Sequence, residues 1–314
     1  MRFFDLHCDT LSFFGKNKKY SLYENNGHID LRRLCQGRVA AQCFAIFLPQ
    51  SDNITDTSSY NFKLLKRMYK SFILSMKQYP GLIRQAVNAD DIRKNIKDNK
   101  ISAILTVENG DFVGNDLNRL NVCKSMGVRI MSLTWNYENS LGYPCAAGVR
   151  HAQPLKAMGL LAIEMLNNLD IIIDVSHLSE GGFWDVMKKS RKPFIATHSC
   201  CSEVLPHPRN LSDEQLRAIG NCGGVVGINF YTPFLKAEPS ATFISDIVRQ
   251  AQHIKNTAGI DAVALGSDFD GMNSLLEFRD CSGLPLIAEG LNREFTADET
   301  EKICFSNALR VLDS

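Results

Sequence analysis

Eight short apolar runs, each ending in a polar or ionisable residue, constrain this chain more than any other feature. They are FFDLHCD (3–9), VAAQCFAIFL (39–48), ISAILTVEN (101–109) and VRIMSLTWN (128–136), then DIIIDVSH (170–177), PFIATHS (193–199), GGVVGINFY (223–231) and AVALGSDFD (262–270). Most are too apolar to alternate, which fits strands buried on both faces of a parallel sheet. Amphipathic segments lie between them: LKAMGLLAIEMLNNL (155–169), GGFWDVMKKS (181–190), SDEQLRAIGN (212–221) and TFISDIVRQAQHIKNTAG (242–259). Ser212 or Asp213 can cap the third, and Gly259 suits the C-terminal end of the fourth. Eight strands with intervening helices predict an α/β fold of the (β/α)8 TIM-barrel type. A length of 314 residues lies within the range of such barrels. No linker rich in Pro, Gly or Ser divides the chain, so residues 1–314 are expected to form a single catalytic domain. The segments after the first two strands, and residues 136–154, are long enough to be lids or insertions.

Charge excludes some partners. With 35 basic and 34 acidic residues, the chain has no electrostatic drive toward nucleic acid or an anionic membrane. KNKK at 16–19 reads as a solvated loop. No apolar run reaches the length of a membrane span. The ten cysteines are spread through apolar runs, as at Cys8, Cys43, Cys222 and Cys304, without C-x-x-C pairs. Adjacent Cys200 and Cys201 are unsuited to bridge each other. The first residues read directly as a strand rather than a leader. Free thiols in a reducing cytoplasm are the expectation.

The active end of such a barrel is the C-terminal end of its strands. The ends of the proposed strands carry His7 and Asp9, Glu108, His177, His198, and Asp268 with Asp270. In an extended segment Asp5, His7 and Asp9 share one face. A half-exposed strand with a polar face would look the same locally. Three histidines and several carboxylates converging on one barrel mouth point instead to metal. Imidazole and carboxylate together suit zinc and similar divalent ions, and carboxylates crowded in one pocket repel unless cations neutralise them. Glu108, with two oxygens, could bridge two metals. Asp5, deeper in its strand, reads as a supporting acid.

At this point the chain resembles the membrane (renal) dipeptidase family, metallopeptidase family M19. The matching pieces are DLHCDT (5–10), TVENG (106–110), DVSH (174–177), ATHS (196–199), PRN (208–210), VGINFY (226–231) and GSDFDG (266–271), in family order over nearly the whole chain. The resemblance implies a dizinc dipeptidase on a (β/α)8 barrel, here a cytoplasmic, microbial-type member. His7, Asp9 and bridging Glu108 would hold one zinc; Glu108, His177 and His198 would hold the other. Asp268 would be the proton shuttle, and Arg209 would bind the substrate's terminal carboxylate, a match to its planar fork. His207 beside it reads as structural. The implied reaction is hydrolysis of a dipeptide's amide bond by a hydroxide formed between the two metals. The expected partner is a small peptide, with no nucleic acid or membrane, and a homodimer stays open.

One departure stands out. Mammalian members carry a histidine near the end of the fourth strand, assigned to polarising the scissile carbonyl. Here the run reads LTWNYEN and the matching residue is Trp135. Asn136, Tyr137 and His151 are the nearby candidates to compensate. Two rival readings stay open: a metal-dependent hydrolase of a lactone, lactam, cyclic amide or phosphoester on the same barrel, and a non-catalytic barrel that binds metal or small molecules.

Overall fold

The computed structural model describes residues 1–14, 20–50, 54–145, 152–238 and 240–313. The KNKK cluster at 16–19 and His151 lie outside these residues. The strands are β1 (Phe3–Asp5), β2 (Val39–Phe47), β3 (Ile83–Gln85), β4 (Ile101–Glu108), β5 (Val128–Ser132), β6 (Ile172–Asp174), β7 (Ala196–Ser199), β8 (Val226–Ile228) and β9 (Val263–Leu265). Their ladders are all parallel and run in the order β6-β5-β4-β2-β1-β9-β8-β7. The ring closes between β7 and β6. There Val175 N donates to Ile195 O at 2.8 Å, and Ile195 N donates to Ile173 O at 3.0 Å. The result is the expected (β/α)8 barrel, with each of the eight runs contributing one strand.

β3 is additional to the eight. Its three residues pair with Ile101–Ala103 at the start of β4, ahead of β5, whose pairing with β4 begins at Leu105. So short and half-polar a segment makes no apolar run, which is why the sequence pattern does not show it. The runs are also longer than the strands. Four of the eight run strands have only three residues, because the polar end of the run leaves the regular strand to face the barrel mouth.

The helices are α1 (Leu31–Gln36), α2 (Thr57–Gln78), α3 (Ala89–Lys97), α4 (Arg119–Ser125), α5 (Ala157–Asn168), α6 (Glu180–Lys189), α7 (Asp213–Asn221), α8 (Thr232–Leu235), α9 (Ile244–Ala258), α10 (Leu284–Leu291), α11 (Ala297–Glu301) and α12 (Asn307–Val311). Of the two cap candidates for α7, Ser212 takes the role. Its hydroxyl accepts from Gln215 N while the Gln215 side chain reaches back to the Ser212 backbone, satisfying two otherwise orphaned donors. Gly259 ends α9 with φ +88°, a conformation that penalises a side chain.

The main core lies where helices cover the sheet, with Phe44 on β2, Phe72 on α2 and Leu105 on β4 among its residues. A second cluster gathers Phe4, Ile172, Ile195 and Val225, near the starts of their strands, against Phe305 and Val311 of the C-terminal helical segment. That end of the barrel is closed by packing, which leaves the opposite end for chemistry. All ten cysteines are free. Among the described residues no helix is long and apolar enough to cross a membrane.

Candidate active site

The strand-end residues meet in one buried cluster. Asp5 supports it from below. Its carboxylate accepts from Ser267 N (2.8 Å), Ser267 Oγ (2.6 Å) and Gln42 Nε2 (2.8 Å), tying β1 to β2 and to the segment after β9. Burial pushes the Asp5 carboxyl up, against those hydrogen bonds. Past Asp5 the regular strand ends, yet Cys8 still bonds Cys43 and Ala45 of β2, and His7 Nε2 comes to 3.3 Å from Asp9 Oδ2. Asp9 then begins a 3-10 turn at Thr10–Phe13.

Glu108 ends β4 and stands between the imidazoles. Its Oε2 is 3.7 Å from His7 Nε2, and its Oε1 is 2.9 Å from His177 Nε2 and 3.5 Å from His198 Nε2. The two last Nε2 atoms are 3.0 Å apart. His177 and His198 are each oriented through the other ring nitrogen. His177 Nδ1 meets Asn136 Oδ1 at 2.9 Å, and His198 Nδ1 meets Thr197 Oγ1 at 2.7 Å, with the Thr197 hydroxyl in turn bonded to buried Asp174. A partner of this kind fixes the tautomer of a metal-binding histidine. Asp268 completes the cluster, with Oδ1 3.8 Å from His7 Nε2 and Oδ2 accepting from Asn229 Nδ2 at 3.0 Å.

The charges in this cluster are unbalanced without cations. Burial drives His177 and His198 well below the usual imidazole value, and the charges of Arg209 and His7 push the same way. Both rings are therefore neutral. With Nδ1 donating to Asn136, His177 presents a lone pair at Nε2 to a carboxylate oxygen and to a second imidazole nitrogen. Acceptors facing acceptors at about 3 Å are repulsive unless a cation lies among them. Burial pushes Glu108 well above the usual carboxylate range, with the Asp9 charge adding to it. It raises Asp268 to about 6, against the opposing pull of His7. Burial alone would lower His7, but the carboxylates of Asp9, Glu108 and Asp268 outweigh it and hold the imidazole at about 10. Asp9 Oδ1 is buried with no partner among the described residues. The donor set therefore fits divalent cations. Two triads, His7–Glu108–His198 and His7–Asp9–Asp268, have ligand atoms within 4.8 Å of one another. They share His7, and His177 adjoins the first through Glu108.

Backbone strain concentrates here. Among the described residues seven non-glycine residues have positive φ, and four of them are Asn109 (+80°), His177 (+68°), Asp268 (+63°) and Asp270 (+67°). Such conformations persist where the surroundings over-determine them, which is common at functional sites. Gly271 serves the same end: a Cβ there would overlap the Asp9 and Asp268 carboxylates.

Above the cluster lies a cavity of about 560 Å³, whose lining includes Asp9, Glu108, His177 and Asp268. His7 and His198 are not at its surface, and neither is Arg209. Arg209 Nη1 donates to Ser199 Oγ (2.9 Å) and Nη2 to the His198 carbonyl (3.0 Å), while its buried Nε has no partner among the described residues. Its backbone N donates to His207 Nδ1 at 3.1 Å, and the His207 ring packs 4.8 Å from Phe234, a supporting position. Trp135 forms part of the cavity wall, edge-on to Phe47 at 4.7 Å and 6.3 Å from the His177 ring. Asn136 is engaged with His177, and Tyr137 is exposed beside Trp135. Asp270 is not a ligand candidate. Its Oδ2 accepts from Thr10 Oγ1 at 2.7 Å and its Oδ1 from the His28 backbone, so it clips the loop after β1 to the loop after β9. The sequence reading does not single out Asn229, Thr197 or His28. Asn229 and Thr197 lie inside the motifs VGINFY and ATHS, the one signal that could have marked them.

A parallel barrel with imidazoles and carboxylates on its strand ends defines a metal-dependent hydrolase. Residues 1–314 match the pattern of the membrane dipeptidase family, peptidase family M19. The chain belongs to that family and is an enzyme of the metallo-dipeptidase type. It is 36% identical over 244 residues to an uncharacterized protein in the pqqA 5′ region of Klebsiella pneumoniae, a match covering 74% of this chain and 89% of that one. It is 29% identical over 295 residues to dipeptidase tcpJ of Claviceps purpurea, covering 91% of this chain and 69% of that protein. Among solved structures, the dipeptidase AC of family M19 superposes with a TM-score of 0.92 at 27% identity, covering 100% of this chain and 98% of the other. A metallopeptidase from Rhodobacter sphaeroides, solved with a phosphinate mimic of the dipeptide L-Ala-D-Ala, superposes with a TM-score of 0.91 at 26% identity, covering 100% and 99%.

Proposed function

We propose that this enzyme hydrolyses dipeptides with a free C-terminal carboxylate, using two zinc ions at the strand ends. The observation that carries the reading is Glu108, one carboxylate whose two oxygens face His7 on one side and His177 with His198 on the other. His7, Asp9 and Glu108 would hold one cation, and Glu108, His177 and His198 the other. When bound, such a pair supplies a Lewis acid for the carbonyl and a water acidic enough to attack at neutral pH.

The chain's own residues do the rest. Asp268, held at Oδ2 by Asn229, takes the proton of the attacking water. As the C–N bond breaks, it returns that proton to the leaving amine. Arg209 has two of its five N–H groups fixed, and its buried, unpaired Nε–H is among the three donors left for a terminal carboxylate. Phe47 and Trp135 form an apolar wall that limits water at the reacting bond. No histidine stands at Trp135, so carbonyl polarisation from that wall is missing.

The test is turnover by the purified, zinc-supplied protein on a panel of dipeptides. The panel includes D-residues at the second position, because the Rhodobacter sphaeroides relative was captured with a mimic of L-Ala-D-Ala. Hydrolysis of dipeptides supports the reading. Activity confined to lactones, lactams or cyclic amides replaces it.

A further inference from the structure

One wall of the cavity has no part in the chemistry above. Tyr60, Leu64, Arg67 and Met68 of α2 recur at helical spacing and line that wall. The 22 residues of α2 include Lys63, Lys66, Arg67, Lys70 and Lys77 and no acid. Arg67 is exposed, and its guanidinium makes no ion pair or hydrogen bond among the described residues. It is also the one lysine or arginine among the described residues that line the cavity. The acids that share the lining are committed elsewhere: Asp9, Glu108 and Asp268 to the ligand cluster, Asp270 to Thr10 and His28.

An unpaired cation that lines a cavity offers a charge-assisted partner to an anionic group on the substrate. The terminal carboxylate already has a candidate reader in Arg209, whose charge is felt by His177, His198 and Glu108. Arg67, which lines the cavity where Arg209 does not, is left for a second carboxylate. We infer that Arg67 makes this enzyme selective for dipeptides that carry an acidic side chain, whose carboxylate it pairs with at the cavity wall. The basic face of α2 would add steering of such anionic substrates toward the mouth. This rests on the dipeptidase reading above.

The test compares kcat/KM for Ala-Glu with Ala-Gln and for Glu-Ala with Gln-Ala, using zinc-supplied native enzyme, Arg67→Gln and Arg67→Glu. Each pair of substrates differs only in the charge of one side chain. The native enzyme should prefer the acid in at least one pair by about tenfold or more. Arg67→Gln should bring that ratio near one, and Arg67→Glu should shift preference toward Ala-Lys or Lys-Ala. Equal native rates on acid and amide would overturn the inference while leaving the dipeptidase reading intact. An Arg67→Gln loss of the same factor on both members of a pair would also overturn it, because Arg67 would then be reading the shared terminal carboxylate or shaping the wall. Failure of the native enzyme on every dipeptide would instead remove the reading on which the inference rests.

Discussion

The strand-end cluster and the α2 wall face the same cavity and are built in opposite ways. In the cluster His177 and His198 are each oriented through Nδ1, His177 by Asn136 and His198 by Thr197, which turns both Nε2 atoms toward Glu108. The backbone there is strained into place, and Gly271 is bare so that two carboxylates can approach. On the α2 wall, Arg67 is exposed and tied to nothing among the described residues. Rigid geometry holds chemistry that tolerates little displacement, whereas an untethered cation on a helix face can adapt to substrates. The comparison teaches that reaction and selectivity are carried by separate elements, so that each can be broken without the other.

The largest effect should follow a change inside the cluster. Asp268→Asn removes the proton acceptor and keeps the side chain's shape and its place beside Asn229. Turnover should fall by about 10²–10⁴-fold with metal content unchanged, measured by steady-state kinetics and elemental analysis together. A near-native kcat with full metal content would remove Asp268 from the mechanism.

Arg209→Ala comes next. The native enzyme should cleave free-acid dipeptides and largely reject their C-terminal amides, and the variant should lose most of that preference. A charge-assisted pair contributes roughly 1.5–3 kcal/mol, or about 10–150-fold at 1.4 kcal/mol per decade. Equal kcat/KM on acid and amide in the native enzyme would show that Arg209 does not read the terminus.

Thr197→Val tests the support of the cluster. It keeps the shape of the side chain but removes the hydroxyl between His198 Nδ1 and Asp174. Metal affinity should weaken by about 10–100-fold, as when other outer partners of a ligand are removed. Titration with zinc under a competing chelator measures this, and an unchanged affinity would mean that the strand alone orients His198.

What could be read from the sequence divides along the same line. The eight runs and their ionisable ends give the barrel and bring His7, Asp9, Glu108, His177, His198 and Asp268 together, because in a parallel barrel each strand end has one destination. β3 was hidden because three half-polar residues at an edge leave no periodic signal. Thr197 and Asn229 were hidden, and Asn136 was singled out only as a stand-in for the missing histidine, because a hydrogen-bonding partner of a ligand has no residue type or spacing of its own. Arg67 was hidden because a basic residue on an amphipathic helix reads as solvated surface, and only the fold turns that surface toward the cavity. Asp270 shows the reverse. Its place at a strand end suggested chemistry, yet its carboxylate is occupied by Thr10 and the His28 backbone.

The central claim is that the strand ends hold two cations around Glu108. Elemental analysis of the protein, purified without chelator and supplied with zinc, tests it most directly, with His177→Ala measured beside the native chain. The account expects two metal ions per native chain and a lower content in the variant, which loses one of three protein donors at one site. A native protein that binds no metal, or a His177→Ala variant with undiminished content, would contradict it.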